Sequence, residues 1–355
     1  MTTGFLVAIG VVAALILLAL VTGFATWILR HLRIIIGVAI SVGLLVWLFR
    51  AVDLDQLGRQ LARTNWWWLS AAAALGIIGL FVRAWRWRYL FPPRSEPRGL
   101  VPAMMIGYMV NNVLPLRAGE VVRVYVVSRR WGGRFWTAAA TLIVERVLDS
   151  LCIVLILGVL IFFVEVPRQV EIAAIVMLAI DVLGVSVLAG IALAPDRCRR
   201  VIERLAARWP ALRARALRIF ETFLHGLEGV RTPRHLVPLI GVTVIVWLCP
   251  ALAAWTALRA AGLALPTLAG WVVLAFVGLG VSIPSAPGYF GVFHFAAVMA
   301  VGIFGVPETT ALGYAIAFHA SQFIPVTIVG WIYLLREHMT LGEAAHVTAT
   351  ETTPP

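Results

Sequence analysis

The sequence predicts an all-α polytopic membrane protein with about seven transmembrane helices plus two Pro/Gly-broken re-entrant hairpins of opposite orientation. Three observations carry this. Of 355 residues, 61% are hydrophobic and only 13% charged, about half the charged share of a soluble domain, and mean hydropathy is +0.95. So little polar surface cannot cover a core in water, which excludes an ordinary soluble enzyme and makes lipid the main solvent. Apolar runs long enough to cross ~30 Å of hydrocarbon as helices recur along the chain. Two further apolar stretches are interrupted at their centres, in NNVLPLRAGE and in SIPSAPGYFG. The bilayer tolerates irregular backbone only where it is buried in protein or lines a wet cavity.

In chain order, the run at 5–29 lacks a basic leader and is too long for a signal peptide. It is read as a transmembrane helix filling an N-terminal segment, 1–33. The membrane domain proper is 34–338. It opens with a short run at 34–49, followed by Asp53-Leu54-Asp55 at the head of a short amphipathic connecting helix. The next run, 66–82, is framed by Trp66, Trp67 and Trp68 and by Trp85 and Trp87 among Arg83, Arg86 and Arg88. Such clusters form interfacial belts with snorkelling arginines; Arg83 and Arg86, at helical spacing, also suit an anionic headgroup.

The first broken stretch is 100–128, and runs at 135–164 and 170–194 follow. Residues 196–235 form a basic segment in which Val201, Ile202, Leu205, Trp209, Leu212, Leu217, Phe220 and Leu224 return at roughly helical spacing, broken at Pro210. It suits the inner leaflet surface. Runs at 236–261 and 308–335 bracket the second broken stretch, 268–304, and a Thr/Pro/Ala-rich tail, 339–355, is expected to be disordered.

All 29 basic residues are arginine, and with 17 acids they give a net charge of +12. Since the arginines lie between apolar runs, anionic lipid is the expected partner and nucleic acid is not. Cytoplasmic loops collect basic residues. Treating both broken stretches as hairpins gathers most arginines on one side, with the N-terminus outside and the C-terminus cytoplasmic. The first hairpin then dips from the cytoplasm and the second from the opposite face. Many transporters build a midplane site from such opposed broken helices; the alternative is two kinked ordinary helices.

The candidate site follows from charge at membrane depth, which must be paired, wet or bound to ligand. At the first break stand Asn111, Asn112, Pro115, Arg117, Gly119, Glu120 and Arg123. Arginine's planar fork can grip a phosphate in two places without losing its charge, so Arg117 and Arg123 are expected to hold a lipid phosphate. Glu145, Arg146 and Asp149 share one helix face. Two carboxylates to one guanidinium call for another cation, and Arg117 or Arg123 is the candidate; a purely structural ion network is the rival reading. At the second break stand Pro284, Pro287, Gly288 and Gly291, with His294 after it and His319 and Gln322 in the last run.

No catalytic residue, cofactor or metal is expected: Cys152, Cys198 and Cys249 are scattered, and no Walker loop, GxSxG, HExxH or dinucleotide fingerprint occurs. Asp53 and Asp55 form a DxD of the kind that membrane glycosyltransferases use for a metal and a lipid phosphosugar, a three-residue match of low specificity.

RAWRWRYLF, GYMVNNVLPLRAGEVVRVY, ERVLDS and IPSAPGYFGVF, in this order, resemble the flippase-like family named after the transmembrane region of lysylphosphatidylglycerol synthase. The resemblance spans about 34–335. It implies a polytopic protein that moves or handles an amphiphilic lipid, either an aminoacylated phospholipid or a polyprenyl-phosphate-linked group. Family positions fall on Asn112, Pro115, Arg117, Gly119, Glu120 and Arg123, then Glu145, Arg146 and Asp149, then Pro287 and Gly288. The family's usual Pro-Gly-Gly and later Glu are replaced by Tyr289 and His294, which points to a different substrate. The soluble domain that would transfer lysine from tRNA is not in the sequence, so a transporter is expected rather than an aminoacyltransferase.

The expected function is therefore a lipid translocator of the cell membrane. The alternatives are a membrane glycosyltransferase using a polyprenyl-phosphate sugar and a non-transporting scaffold of envelope lipid synthesis. A second copy of the chain or envelope-synthesis enzymes are the further partners considered.

Overall fold

The computed structural model describes residues 24–343 apart from Ala51, Leu116, Gly133, Pro284 and Leu341. Most of the run expected at 5–29, the break residue Pro284 and positions 344–355 of the tail lie outside the described residues. Those that are described form fourteen α-helices and one 3-10 turn. Four helices are long and apolar enough to cross a membrane: α3 (Trp66–Arg88), α7 (Arg168–Leu193), α11 (Pro233–Ala260) and α14 (Glu308–Arg336). α6 (Phe135–Leu160) matches them in length but carries Glu145, Arg146 and Asp149 in its interior.

Before these come α1 (Phe24–Arg50) and α2 (Leu54–Ala62), bent by 95° relative to each other. Residues 30–33, the gap between the runs read at 5–29 and 34–49, are continuous helix within α1, because nothing in that stretch is a Gly or Pro that would stop it. The bend after α1 is fixed by Asp53, whose Oδ1 accepts the N–H groups of Asp55 (2.9 Å) and Gln56 (3.0 Å) and so starts α2. Asn65 caps α3 in the same way.

Both Pro/Gly stretches fold as pairs of short helices lying against each other: α4 (Leu100–Val113) with α5 (Ala118–Arg130), and α12 (Thr267–Gly280) with α13 (Val292–Gly302). The first pair closes on glycine. A Cβ on Gly119 would overlap the Gly107 carbonyl, and one on Gly107 would overlap the stem of Arg123. In the second pair Gly280 abuts Ala296 and Val292.

The largest helix contact is α3 against α11. Asn65 N–H donates to Ala260 O (2.9 Å) at one end and the His235 ring lies 3.1 Å from Tyr89 O at the other, so the two helices run antiparallel. Each begins a unit of long helix, broken pair, long helix: α3, α4–α5, α6 and α11, α12–α13, α14. The pairs pack crosswise, α4 on α14 and α12 on α6. Outside them α7 rests on α6 and touches α12, while α8 (Pro195–Leu205) and α9 (Pro210–Gly226), with a single turn α10 (Glu228–Arg231), follow it. Pro210 therefore begins a helix, as its fixed φ favours.

Apolar side chains gather into two main clusters. One holds Trp87, Met105 and Leu142, the other Leu160, Phe276, Phe293 and Tyr314. Along α6 the first cluster ends at Val144 and the second begins at Leu157; along α14 the second ends at Phe318 and the first resumes at Val326. Glu145, Arg146 and Asp149 on α6 and His319, Ser321 and Gln322 on α14 fall within these gaps, so a polar layer lies at mid-length. At the tail, Met339 is buried and Thr340 and Glu343 form reciprocal side-chain-to-backbone bonds.

Candidate functional site

The first break is shaped by Pro115 and by Arg117, a non-glycine residue in the left-handed region at φ 54°, ψ 36°. That conformation costs about 1–2 kcal/mol. It is held from both sides: Asn111 Oδ1 accepts the Gly119 N–H (2.8 Å) and the Arg117 guanidinium donates to Val281 O (2.6 Å). Asn112 turns away and donates to Thr327 Oγ1 (2.9 Å) on α14.

Behind the break lies a chain of ion pairs. Arg123 meets Glu145 at 2.8 Å, and Arg146 meets Glu145 at 2.7 Å and Asp149 at 3.1 Å. Arg86 pairs with Asp149 (2.6 Å) and Glu145 (3.5 Å), and Arg83 with Asp149 (3.1 Å). Glu120 lies between Arg117 (3.8 Å) and Arg146 (3.7 Å). Five guanidiniums thus share three carboxylates in this cluster, leaving an excess of two positive charges. Removing one member of such a buried network would leave a charge uncompensated.

Not all five are equally available. Arg86 and Arg123 are buried, Arg123 lying 4.4 Å from the Trp87 ring centroid, whereas the side chains of Arg117 and Arg146 are 39% and 32% exposed. Arg123, which the sequence has presenting its fork to a phosphate, is engaged by Glu145 and Trp87, and Arg117 and Arg146 are the more exposed guanidiniums. They face a cavity of about 600 Å³, which Tyr108, Asn111, Asp149, Trp247 and Tyr289 also line.

The second break meets the first. Its 3-10 turn, Pro287–Tyr289, has positive φ at Gly288 (69°) and Tyr289 (60°), and Gly291 (82°) follows. Only glycine fits at Gly291, where a Cβ would overlap the Ser41 carbonyl; Ser41 Oγ also accepts the Ala286 N–H at 2.9 Å. His319 Nε2 lies 2.9 Å from Gly288 O and its Nδ1 3.4 Å from His294 Nε2, with the Phe293 ring stacked on His319. Gln322 donates to Ala72 O (3.0 Å). His319, Gln322 and Asn112 line a second cavity of about 250 Å³, which shares Arg83, Tyr108 and Tyr289 with the first.

Most of the sequence candidates therefore meet around two adjoining cavities: the charged residues at the first, His319, Gln322 and Asn112 at the second. Pro284 is outside the described residues, and His294 lines neither cavity but packs against His319, Phe290 and Phe293. Sequence reasoning missed Arg86 and Arg83 as the cations balancing Glu145 and Asp149, because the tryptophans beside them mimic an interface belt. Tyr108, Trp247 and Asp181 were also missed; for Asp181 the available signal was a lone acid deep in the run at 170–194. Asp53 caps α2, and the three cysteines are unpaired.

A helical membrane fold whose two broken helix pairs meet over an arginine-lined interior cavity defines a class of polytopic membrane protein. The chain belongs to the family described as the lysylphosphatidylglycerol synthase TM region, whose model matches residues 34–330. It is also 26% identical over 340 residues to the protein named glycosyltransferase AglD of Haloferax volcanii, covering 86% of this chain and 54% of that protein. The chain thus spans about half the length of that curated relative. No solved structure matches it.

Proposed function

We propose that the protein is a lipid translocator of the cell membrane that binds an anionic or aminoacylated phospholipid, or a polyprenyl-phosphate-linked lipid, by its phosphate. The observation that carries this is the cavity at mid-length, where the partly exposed guanidiniums of Arg117 and Arg146 belong to a cluster of five guanidiniums and three carboxylates and so face a net positive interior. A phosphate entering there gains charge-assisted bonds from both guanidiniums, which Val281 O on one side and Glu145 and Asp149 on the other already hold in place. Acyl chains stay outside, in lipid.

The hairpin reading has support from which ends meet. Gly99, at the start of α4, contacts the side chain of Arg130 at the end of α5, and Arg130 pairs with Glu337 (2.7 Å) beyond α14. On the far side, Asn65 and Gln60 bind Ala260 O and Ala261 O just before α12 starts. The first pair would thus open on the arginine-rich end and the second on the opposite end, with about seven crossings and the C-terminus in the cytoplasm. The breaks then meet near the bilayer midplane, where transporters carry their sites.

The second reading, a membrane glycosyltransferase using a polyprenyl-phosphate sugar, draws on the name of the Haloferax relative. Against it, one oxygen of Asp53 is already engaged in capping. The deciding experiment reconstitutes the full chain in vesicles with fluorescent phosphatidylglycerol or a polyprenyl phosphate and follows leaflet exchange. Exchange that disappears in folded Arg117→Ala and Glu120→Ala supports translocation at the first break. A wild type that exchanges neither lipid overturns it.

A further inference from the structure

Asp181 stands apart from the other cavity carboxylates. Among the described residues it is the one buried residue of α7, at 3% exposure, and its Oδ2 has no hydrogen-bond partner. It lines the larger cavity together with Arg146 and Asp149. Glu120, Glu145 and Asp149 all pair with guanidiniums; among the described residues Asp181 has no ion pair. From α6 the charged groups toward it are Arg146 and Asp149, beside Ser150, and α12 offers Leu274, Val277 and Gly278. Across the cavity stand Arg83, Arg117, Glu120, Tyr108 and Tyr289. The charges of α8 begin at Asp196, about 20 Å further along the chain axis.

We propose that Asp181 is a proton-binding site coupled to the lipid site, so that the cavity takes up an anionic lipid together with a proton. This rests on the translocator reading. A buried carboxylate with no ion pair and an unpartnered Oδ2 is costly when ionised, and protonation from the cavity relieves it without moving any neighbour. Ionised, Asp181 lowers the cavity's excess of two positive charges to one; protonated, it leaves the full excess for a phosphodiester, which stays anionic throughout. Lipid phosphate and proton therefore favour each other's binding, and the coupling is reciprocal. The proton arrives from cavity water at Oδ2 and returns to water when the lipid leaves, so charge and protons balance without another reactant.

The test uses the full chain in phosphatidylcholine vesicles with trace fluorescent phosphatidylglycerol, from mildly acidic to mildly alkaline pH. The wild-type exchange rate is expected to fall as pH rises. Asp181→Asn, which fixes the neutral form, keeps the acidic rate throughout, a loss of pH dependence. Asp181→Ser is a second neutral variant in case Asn folds poorly. Parallel pH profiles for wild type and both variants overturn the proposal. Infrared spectra of the same vesicles give an independent reading: a protonated-carboxyl band that titrates in wild type and vanishes in the variants supports the site, and its absence in wild type overturns it. A wild type with the band but no lipid exchange sinks the translocator reading and leaves the proton site standing.

Discussion

The guanidinium of Arg117 donates a 2.6 Å hydrogen bond to the carbonyl of Val281, joining the two breaks across 164 residues of sequence. One side chain thus shapes its own left-handed turn, neutralises a helix-end carbonyl of the second pair and faces the cavity. Lysine would supply the charge but a single point donor in place of the fork. Arg117→Lys is therefore expected to retain the fold while losing most lipid exchange, about tenfold or more if one charge-assisted bond of ~1.5–3 kcal/mol is given up. Equal exchange in the two proteins would remove the fork from the mechanism.

The buried pair Arg123–Glu145 makes a stability prediction independent of transport. Glu145→Gln leaves Arg86 and Arg123 short of counter-charge and is expected to cost about 3–5 kcal/mol. The double variant Arg123→Gln with Glu145→Gln should cost less than the sum of the singles, since each partner's loss is then compensated. Unfolding in detergent, followed through a double-mutant cycle, measures this. Additive losses would mean that the two side chains do not act as a unit.

How much of this was legible in the sequence follows from what each residue signals locally. The helical membrane class, the two breaks and the charged face of α6 are visible because charge and Pro/Gly inside apolar runs have few explanations. Arg86 was not: in sequence it is one of three arginines alternating with tryptophans, and only its ion pairs to Glu145 and Asp149 on α6 separate it from Arg88. The continuity of α1 through Arg30 and Arg33 was also hidden, since charged residues suggest a loop between spans but do not break a helix. The meeting of the two breaks is a long-range fact that no local pattern encodes.

Gly107 and Gly119 should tolerate no side chain. A Cβ at Gly119 would overlap the Gly107 carbonyl, a backbone atom that cannot swing away, so Gly119→Ala should force α4 and α5 apart and sharply lower the yield of folded protein. A Cβ at Gly158 or Gly190, in α6 and α7, would meet nothing within 4 Å. Alanine there should be neutral or stabilise by about 0.5–1 kcal/mol. Size-exclusion profiles and thermal melts of the four alanine variants check the contrast, and a well-folded Gly119→Ala would contradict the close crossing.

Asp53 and Asp55 separate the two functional readings most cheaply. Asp53 caps α2 through two backbone N–H groups, so Asp53→Ala is expected to cost about 1 kcal/mol of stability. Asp53→Asn, which keeps an accepting oxygen, should cost little. Asp55 sits in the first turn of α2 and makes no ion pair among the described residues. A translocator built around Arg117 and Arg146 should keep its lipid exchange in the double variant Asp53→Asn with Asp55→Asn. A transferase that holds a metal on these acids should lose sugar transfer in the same protein while its melting temperature stays near the wild-type value. Measuring both activities on one reconstituted preparation puts the two readings in direct opposition, because cap loss alone moves stability and neither activity.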